Sequence, residues 1–253
     1  MITSVTNAGC GPIHTQYRVH WQRATGREYY TSVIDFASDI RSDGQRLRRA
    51  AIAAAYFVGL IWLIWLIASV FGVELHHYGV YPRRFDGLAG LLAAPLLHGS
   101  FVHLFSNTLP AWVLGTAYLY GYPRAARLGI PLIYLGSGFG VWIFARSSYH
   151  IGASGLIYGM MFFLITIGLL RRDRLSIALA LLVFFLYGGM LWGVLPTEPG
   201  ISFESHLFGA AIGTLLAFLL RNRDQARPEK RYDWEDEEDE LDDLDAGDTW
   251  RRD

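Results

Sequence analysis

Cysteine is almost missing from this chain. Cys10 is the only one in 253 residues, which excludes an intramolecular disulfide and any metal site assembled from several thiolates. Charge is scarce as well, at 18% of residues, where a soluble domain carries about 25%. The first 49 residues hold no apolar run flanked by small cleavage-site residues, so no secretory signal is read and the amino-terminus is expected in the cytosol. What is abundant is apolar surface: 52% hydrophobic residues, with 8 Trp, 14 Tyr and 15 Phe, and a mean hydropathy of +0.25. The net charge of −1 hides two regions of opposite sign. From Arg221 onward there are 7 basic and 14 acidic residues, which leaves 15 basic and 9 acidic before it. That division predicts a membrane-embedded body followed by an acidic tail.

Residues 1–49 are polar and mixed, end in Arg46, Arg48 and Arg49, and read as a cytosolic amino-terminal extension. From Ala50 six apolar segments follow, near 50–73, 100–120, 127–146, 154–170, 175–195 and 205–220. A helix that crosses a hydrocarbon core of about 30 Å needs about 20 apolar residues, with about 17 as the lower limit. The fourth and sixth segments are short by that measure. Lys and Arg then test the topology: with the amino-terminus inside, 14 fall on inside segments and 3 outside, namely Arg83, Arg84 and Arg146. The expected fold is an all-α integral membrane protein of six transmembrane helices, residues 50–220, with both termini cytosolic; its compact body suggests a bacterial plasma membrane. The loop 74–99 between spans one and two is too apolar in its second half for water and is expected to lie in the outer leaflet, packed on the spans. Residues 221–253 combine few apolar side chains with much like charge and read as a disordered acidic cytosolic tail.

Polar side chains are costly in hydrocarbon, so those that remain are functional suspects. The nine acidic residues before the tail are placed outside the spans, with Glu74, Asp86, Asp173, Glu198 and Glu204 in loops; this argues against a proton-relay transporter. Within or at the mouths of the spans stand His98, His103, Asn107, Ser154, Tyr158 and His206. His103, Asn107, Ser154 and His206 lie near the amino-terminal ends of spans two, four and six, which all start on the outer face. They therefore converge at one depth, as a nucleophile, a base and an oxyanion hole must. In Ile151-Gly-Ala-Ser154-Gly155-Leu-Ile-Tyr158-Gly159, Ser154 is placed at a helix start, where free backbone N–H groups can face a developing oxyanion. Gly155 and Gly159 are one turn apart, as are Gly209 and Gly213 in His206-Leu-Phe-Gly209-Ala-Ala-Ile-Gly213, so spans four and six can pack closely and bring His206 toward Ser154. His103 and Asn107 share one helix face, and their N–H groups can aim at one oxyanion. His76 and His77 read as loop residues, His98 and His150 as interfacial ones.

The set His98, His103, Asn107, Gly152-Ala-Ser154-Gly155, Tyr158, His206, Gly209 and Gly213 resembles the rhomboid family of intramembrane serine proteases. The resemblance covers about residues 50–220, including Tyr81-Pro82-Arg83 and the Pro95-Leu-Leu-His98 lead-in to span two. It implies Ser154 as nucleophile and His206 as general base in a dyad without a carboxylate partner. It also implies oxyanion stabilisation by His103 and Asn107 together with the Ser154 N–H, and a Tyr158 ring that stacks on the imidazole and orients it. The loop 74–99 departs from the pattern in having no Trp-Arg pair.

Other intramembrane proteases do not fit. The chain has no His-Glu pair for a zinc protease and no intramembrane aspartate for an aspartyl one. The second glycine follows Ser154 at once, unlike the elbow of soluble hydrolases. The remaining alternative is a catalytically silent relative that binds and escorts transmembrane clients, but such a protein has no need of both Ser154 and His206. The expectation is an endopeptidase acting on transmembrane protein substrates in a lipid bilayer, with no cofactor, no metal and no nucleic acid partner.

Overall fold

A computed structural model describes residues 26–196 and 200–224. The described residues fall into two compact units, the first holding residues 26–44 and the second residues 45–224. The described part of the first is helical from Gly26, so this helix begins within the expected extension. The expected disordered tail lies outside the described residues from 225 onward.

Six long helices carry the architecture: α1 (Gly26–Phe71), α2 (Phe101–Gly121), α3 (Pro123–Phe144), α4 (Ser154–Arg171), α5 (Arg174–Tyr187) and α6 (Phe203–Leu220). Their ends follow from local chemistry. Ser100, Asp173 and Ser202 cap α2, α5 and α6 by accepting from the backbone N–H three residues on, which satisfies donors that a helix start leaves orphaned. Pro123 opens α3 at a position that needs no N–H. Asp224, beyond the end of α6, accepts from Arg124 N at 3.0 Å and Ala125 N at 2.8 Å at that same helix start. Gly72, at φ +65°, follows the end of α1. The last turns of span five tighten into a 3-10 helix, Gly188–Val194.

Among the described residues five helical segments are long and apolar enough to cross a membrane, α5 only together with the 3-10 turns that follow it to Val194, and a sixth span arises if the bent pair Asp86–Leu96 and Phe101–Gly121, at 68°, counts as one. Large apolar side chains such as Tyr56, Val70, Phe105 and Phe185 face outward, as lipid-facing surface requires. The protein is a multi-pass membrane protein. In α4, 61% of the apolar window is buried inside the protein, against 17% for α1 and for the span that begins with α5, so α4 is the central helix. Its Phe163 stacks on Tyr118 of α2 with centroids 4.3 Å apart, amid Ile157, Met161, Leu164 and Ile167. At 18 residues, α4 spans only about 27 Å at about 1.5 Å per residue.

The loop between α1 and α2 forms short helical turns at Leu75–Tyr78 and Asp86–Leu96 and packs inward through Gly87, Gly90, Ala94 and Pro95. Trp142 Nε1 donates to Arg84 O at 2.8 Å, and Arg83 Nη1 to Ala145 O at 2.9 Å, which ties this loop to the end of α3. Among the described residues there is no sheet, only an isolated antiparallel bridge between Val80 and His150. One sequence expectation is corrected. Glu204 is not a loop residue but stands in the first turn of α6, only 7% exposed; its place after the Ser202 cap puts it inside the helix.

Candidate active site

The α4–α6 pair is the most extensive helix contact in the bundle, and glycines make it possible. A Cβ on Gly209 would overlap the Gly155 carbonyl oxygen, one on Gly213 would overlap the Gly159 carbonyl oxygen, and one on Gly159 would lie 3.1 Å from Gly209 O. The two backbones therefore touch along the stripe read from the sequence. A Cβ on Gly155 would lie 3.2 Å from Ser205 O, so the chain beside Ser154 meets the chain beside His206. Ser154 itself is half-buried and is the first residue of α4. Among the described residues no hydrogen bond joins Ser154 to His206; active sites commonly tighten such bonds only with substrate in place.

His206 is held on two sides. Its Nδ1 lies 2.8 Å from Gly193 O. A carbonyl only accepts, so Nδ1 carries the proton and the neutral ring keeps its lone pair on Nε2. Its face is stacked on Tyr158 of α4, with centroids 4.0 Å apart and planes 5° from parallel. Gly193 must be glycine for this arrangement: a Cβ there would overlap the Tyr158 hydroxyl and lie 3.4 Å from His206 Nδ1.

The segment that leads into Ser154 is pinned from several directions. His150 exchanges backbone hydrogen bonds with Val80 at 2.9 and 3.0 Å, and Gly152 N donates to Ala94 O at 2.8 Å. Ala153 N donates to His98 Nε2 at 3.5 Å, which gives His98 a definite place at the site. Gly152 sits at φ +115°, with the His103 ring so close that a Cβ would stand 2.6 Å from its Nε2. The rings of His98 and His103 meet edge to face at 5.0 Å. Asn107 is buried and turns one amide N–H onto His103 O at 2.8 Å. The structure thus brings Ser154, His206, Tyr158, His103 and Asn107 to one end of the bundle. Away from these residues, the donor atoms of exposed Glu74, His76 and His77 lie within 4.8 Å of one another, where a 3.6 Å pair between His77 and Glu74 already uses part of the set.

The family model for the Rhomboid domain matches residues 86–223, a range that includes Ser154, His206, Tyr158, His103 and Asn107. The chain belongs to the rhomboid family. An uncharacterized protein of Mycobacterium tuberculosis is 38% identical over 175 residues, covering 65% of this chain and 72% of the relative. RHOMBOID-like protein 4 of Arabidopsis thaliana is 34% identical over 139 residues, covering 51% of this chain and 33% of that one. A Bacillus subtilis protein named "Putative rhomboid protease YdcA" is 28% identical over 147 residues, covering 54% and 69%.

Several residues of this rhomboid site carried no sequence signal. Gly193 acts through a backbone carbonyl, which no side-chain pattern announces. Arg146 and Glu204, 58 positions apart, form a 3.6 Å ion pair, and long-range pairing of this kind has no local period. Ser202 went unread, although a small polar residue before a helical run is the usual mark of a cap.

Proposed function

We propose that this rhomboid protein is an intramembrane serine endopeptidase that hydrolyses peptide bonds in or near transmembrane segments through a Ser154–His206 dyad. The observation that carries the reading is the setting of His206: one ring nitrogen is committed to Gly193 O and one face to Tyr158. The basic Nε2 is thereby left for the neighbouring start of α4. In this reading Nε2 takes the Ser154 hydroxyl proton as Oγ attacks the scissile carbonyl, and later delivers it to the leaving amine. The carbonyl of Gly193 serves as acceptor for Nδ1–H, the place a carboxylate takes in a triad. The Ser154 N–H, His103 and Asn107 face the oxyanion, and water then cleaves the acyl-enzyme.

A helical peptide bond is shielded by its own hydrogen bonds. The favoured clients are therefore segments that unwind easily near the outer face, with small residues at the cut and Gly or Pro beyond it. The domain organisation proposed with this function is a membrane body at 50–220 between a cytosolic extension and an acidic tail. The test is cleavage of a reporter transmembrane substrate in detergent by wild type, Ser154→Ala and His206→Ala. Both variants should fall to background while remaining folded. Full activity in folded Ser154→Ala removes the assignment, and wild-type binding of clients without cleavage supports a silent escort instead.

A further inference from the structure

Between α3 and α4, residues 145–153 form the segment that delivers Ser154, and residues 200–206 deliver His206. Two polar links join them. At the first, Arg146 Nη2 donates to Ile201 O at 2.6 Å, Arg146 N lies 3.4 Å and Nε 3.6 Å from Glu204 Oε1, and the guanidinium sits 5.7 Å from the Phe203 ring centroid. At the second, His150 Nδ1 lies 2.6 Å from Ser202 Oγ, which in turn is 2.8 Å from Ser205 Oγ. His150 Nε2 lies 3.1 Å from Arg146 O and 3.2 Å from Ser148 Oγ. The carbonyl fixes a proton on Nε2, and the Ser202 hydroxyl donates to Nδ1 of the neutral ring. Burial lowers the His150 pKa, partly offset by the Arg146 carbonyl and the Glu204 carboxylate, in keeping with that neutral form.

Both anchors are costly. His150 is 3% and Glu204 7% exposed, and Glu204 Oε2 is buried without a hydrogen-bond partner. Apolar residues of similar size would pack here at lower cost, whereas hydrogen-bonded polar groups fix direction and register. What they fix is the dyad: Glu204 is two residues before His206, Ser205 O abuts Gly155, and His150 is four residues before Ser154.

We infer that Arg146 with Glu204 and His150 with Ser202 form a two-point clasp that sets the register between the Ser154 segment and the His206 turn. Glu204 and His150 are then positioning residues of the dyad, and the inference rests on the dyad proposed above. The clasp acts on the geometry of attack and not on substrate capture, so its loss falls on kcat.

The test compares the purified full chain with Glu204→Ala, Glu204→Gln, His150→Ala, Arg146→Ala and Arg146→Ala/Glu204→Ala, each assayed well below its melting temperature. Glu204→Ala and His150→Ala should lower kcat by about 10- to 100-fold, the scale of an ångström-sized misplacement, with KM essentially unchanged and Ser154 labelling by a fluorophosphonate slowed in parallel. Glu204→Gln keeps an acceptor for the Arg146 N–H and should recover most of the rate. The Arg146/Glu204 double variant should be no slower than the worse single one, because the two act as one unit. Wild-type kcat in Glu204→Ala and His150→Ala overturns the clasp, as does a loss confined to KM, or one that follows melting temperature and is not relieved in Glu204→Gln. Cleavage by Ser154→Ala at the wild-type rate overturns the dyad and the clasp together, whereas an inactive Ser154→Ala beside fully active clasp variants overturns the clasp alone.

Discussion

The imidazole of His206 lies flat on the ring of Tyr158, 4.0 Å between centroids and 5° from parallel. Tyr158 stands one helical turn beyond Ser154, so in the proposed dyad the helix that carries the nucleophile would also carry the surface that orients the base. A stacked aromatic pair is worth about 0.5–1.5 kcal/mol, equivalent to about two- to tenfold in rate if it acts only on the base. Tyr158→Ala should lower kcat on the reporter substrate by that factor, and Tyr158→Phe, which keeps the ring face, should lose less. Equal losses in the two variants would show that the stacking is not what matters.

Gly209→Val tests the helix contact. A side chain at 209 would overlap the Gly155 carbonyl, which is backbone and has little room to yield. The two helices must separate, with a cost typical of overpacking, about 1–3 kcal/mol or more. Thermal unfolding should begin at lower temperature and cleavage should fall with it, in contrast to Ser154→Ala, whose melting curve should match wild type.

Asn107→Ala should leave a measurable remnant of activity. Loss of one oxyanion donor typically costs about 10²–10³ in rate, and the Ser154 N–H and His103 remain. The comparison is kcat/KM against wild type, and background activity would mean that Asn107 also holds His103 in place through its 2.8 Å bond to the His103 carbonyl.

At the opposite end of α4, burial raises the Asp173 carboxyl pKa, but hydrogen bonds from Ser176 and the Arg171 guanidinium outweigh it and hold the group below its ordinary 3.8. A folded pKa below the unfolded one means stability that is present above the ordinary value and lost as pH falls through the folded one. Asp173→Ala, which removes a helix cap, should cost about 0.5–2 kcal/mol at neutral pH. The melting temperatures of variant and wild type should draw together in acid. A gap that stays constant from neutral to acid pH contradicts this account.

Much of this architecture was legible because the bilayer imposes its own arithmetic. Runs of apolar residues marked the spans, and the glycines at 155, 159, 209 and 213 marked the contact that joins α4 to α6. Ser154, His206, His103, Asn107 and Tyr158 stood out as polar or aromatic residues at span mouths. Helix ends were less legible: α1 begins at Gly26, within a stretch read as a polar extension, although Tyr30, Val33, Ala37 and Ile40 recur there at helical spacing. Glu204 was misplaced because a carboxylate near a span mouth reads as loop, and only the fold supplies Arg146 as its partner. Gly193 was silent because its contribution is a carbonyl and the absence of a Cβ.

The most direct test of the dyad is labelling of the purified chain with a fluorophosphonate probe, with the modified residue mapped by mass spectrometry in wild type, Ser154→Ala and His206→Ala. The account predicts a single labelled site at Ser154 in wild type, no label in Ser154→Ala, and labelling slowed to background in folded His206→Ala, because the hydroxyl then has no base. Label carried by another serine, or Ser154 modified at the wild-type rate without His206, would contradict it.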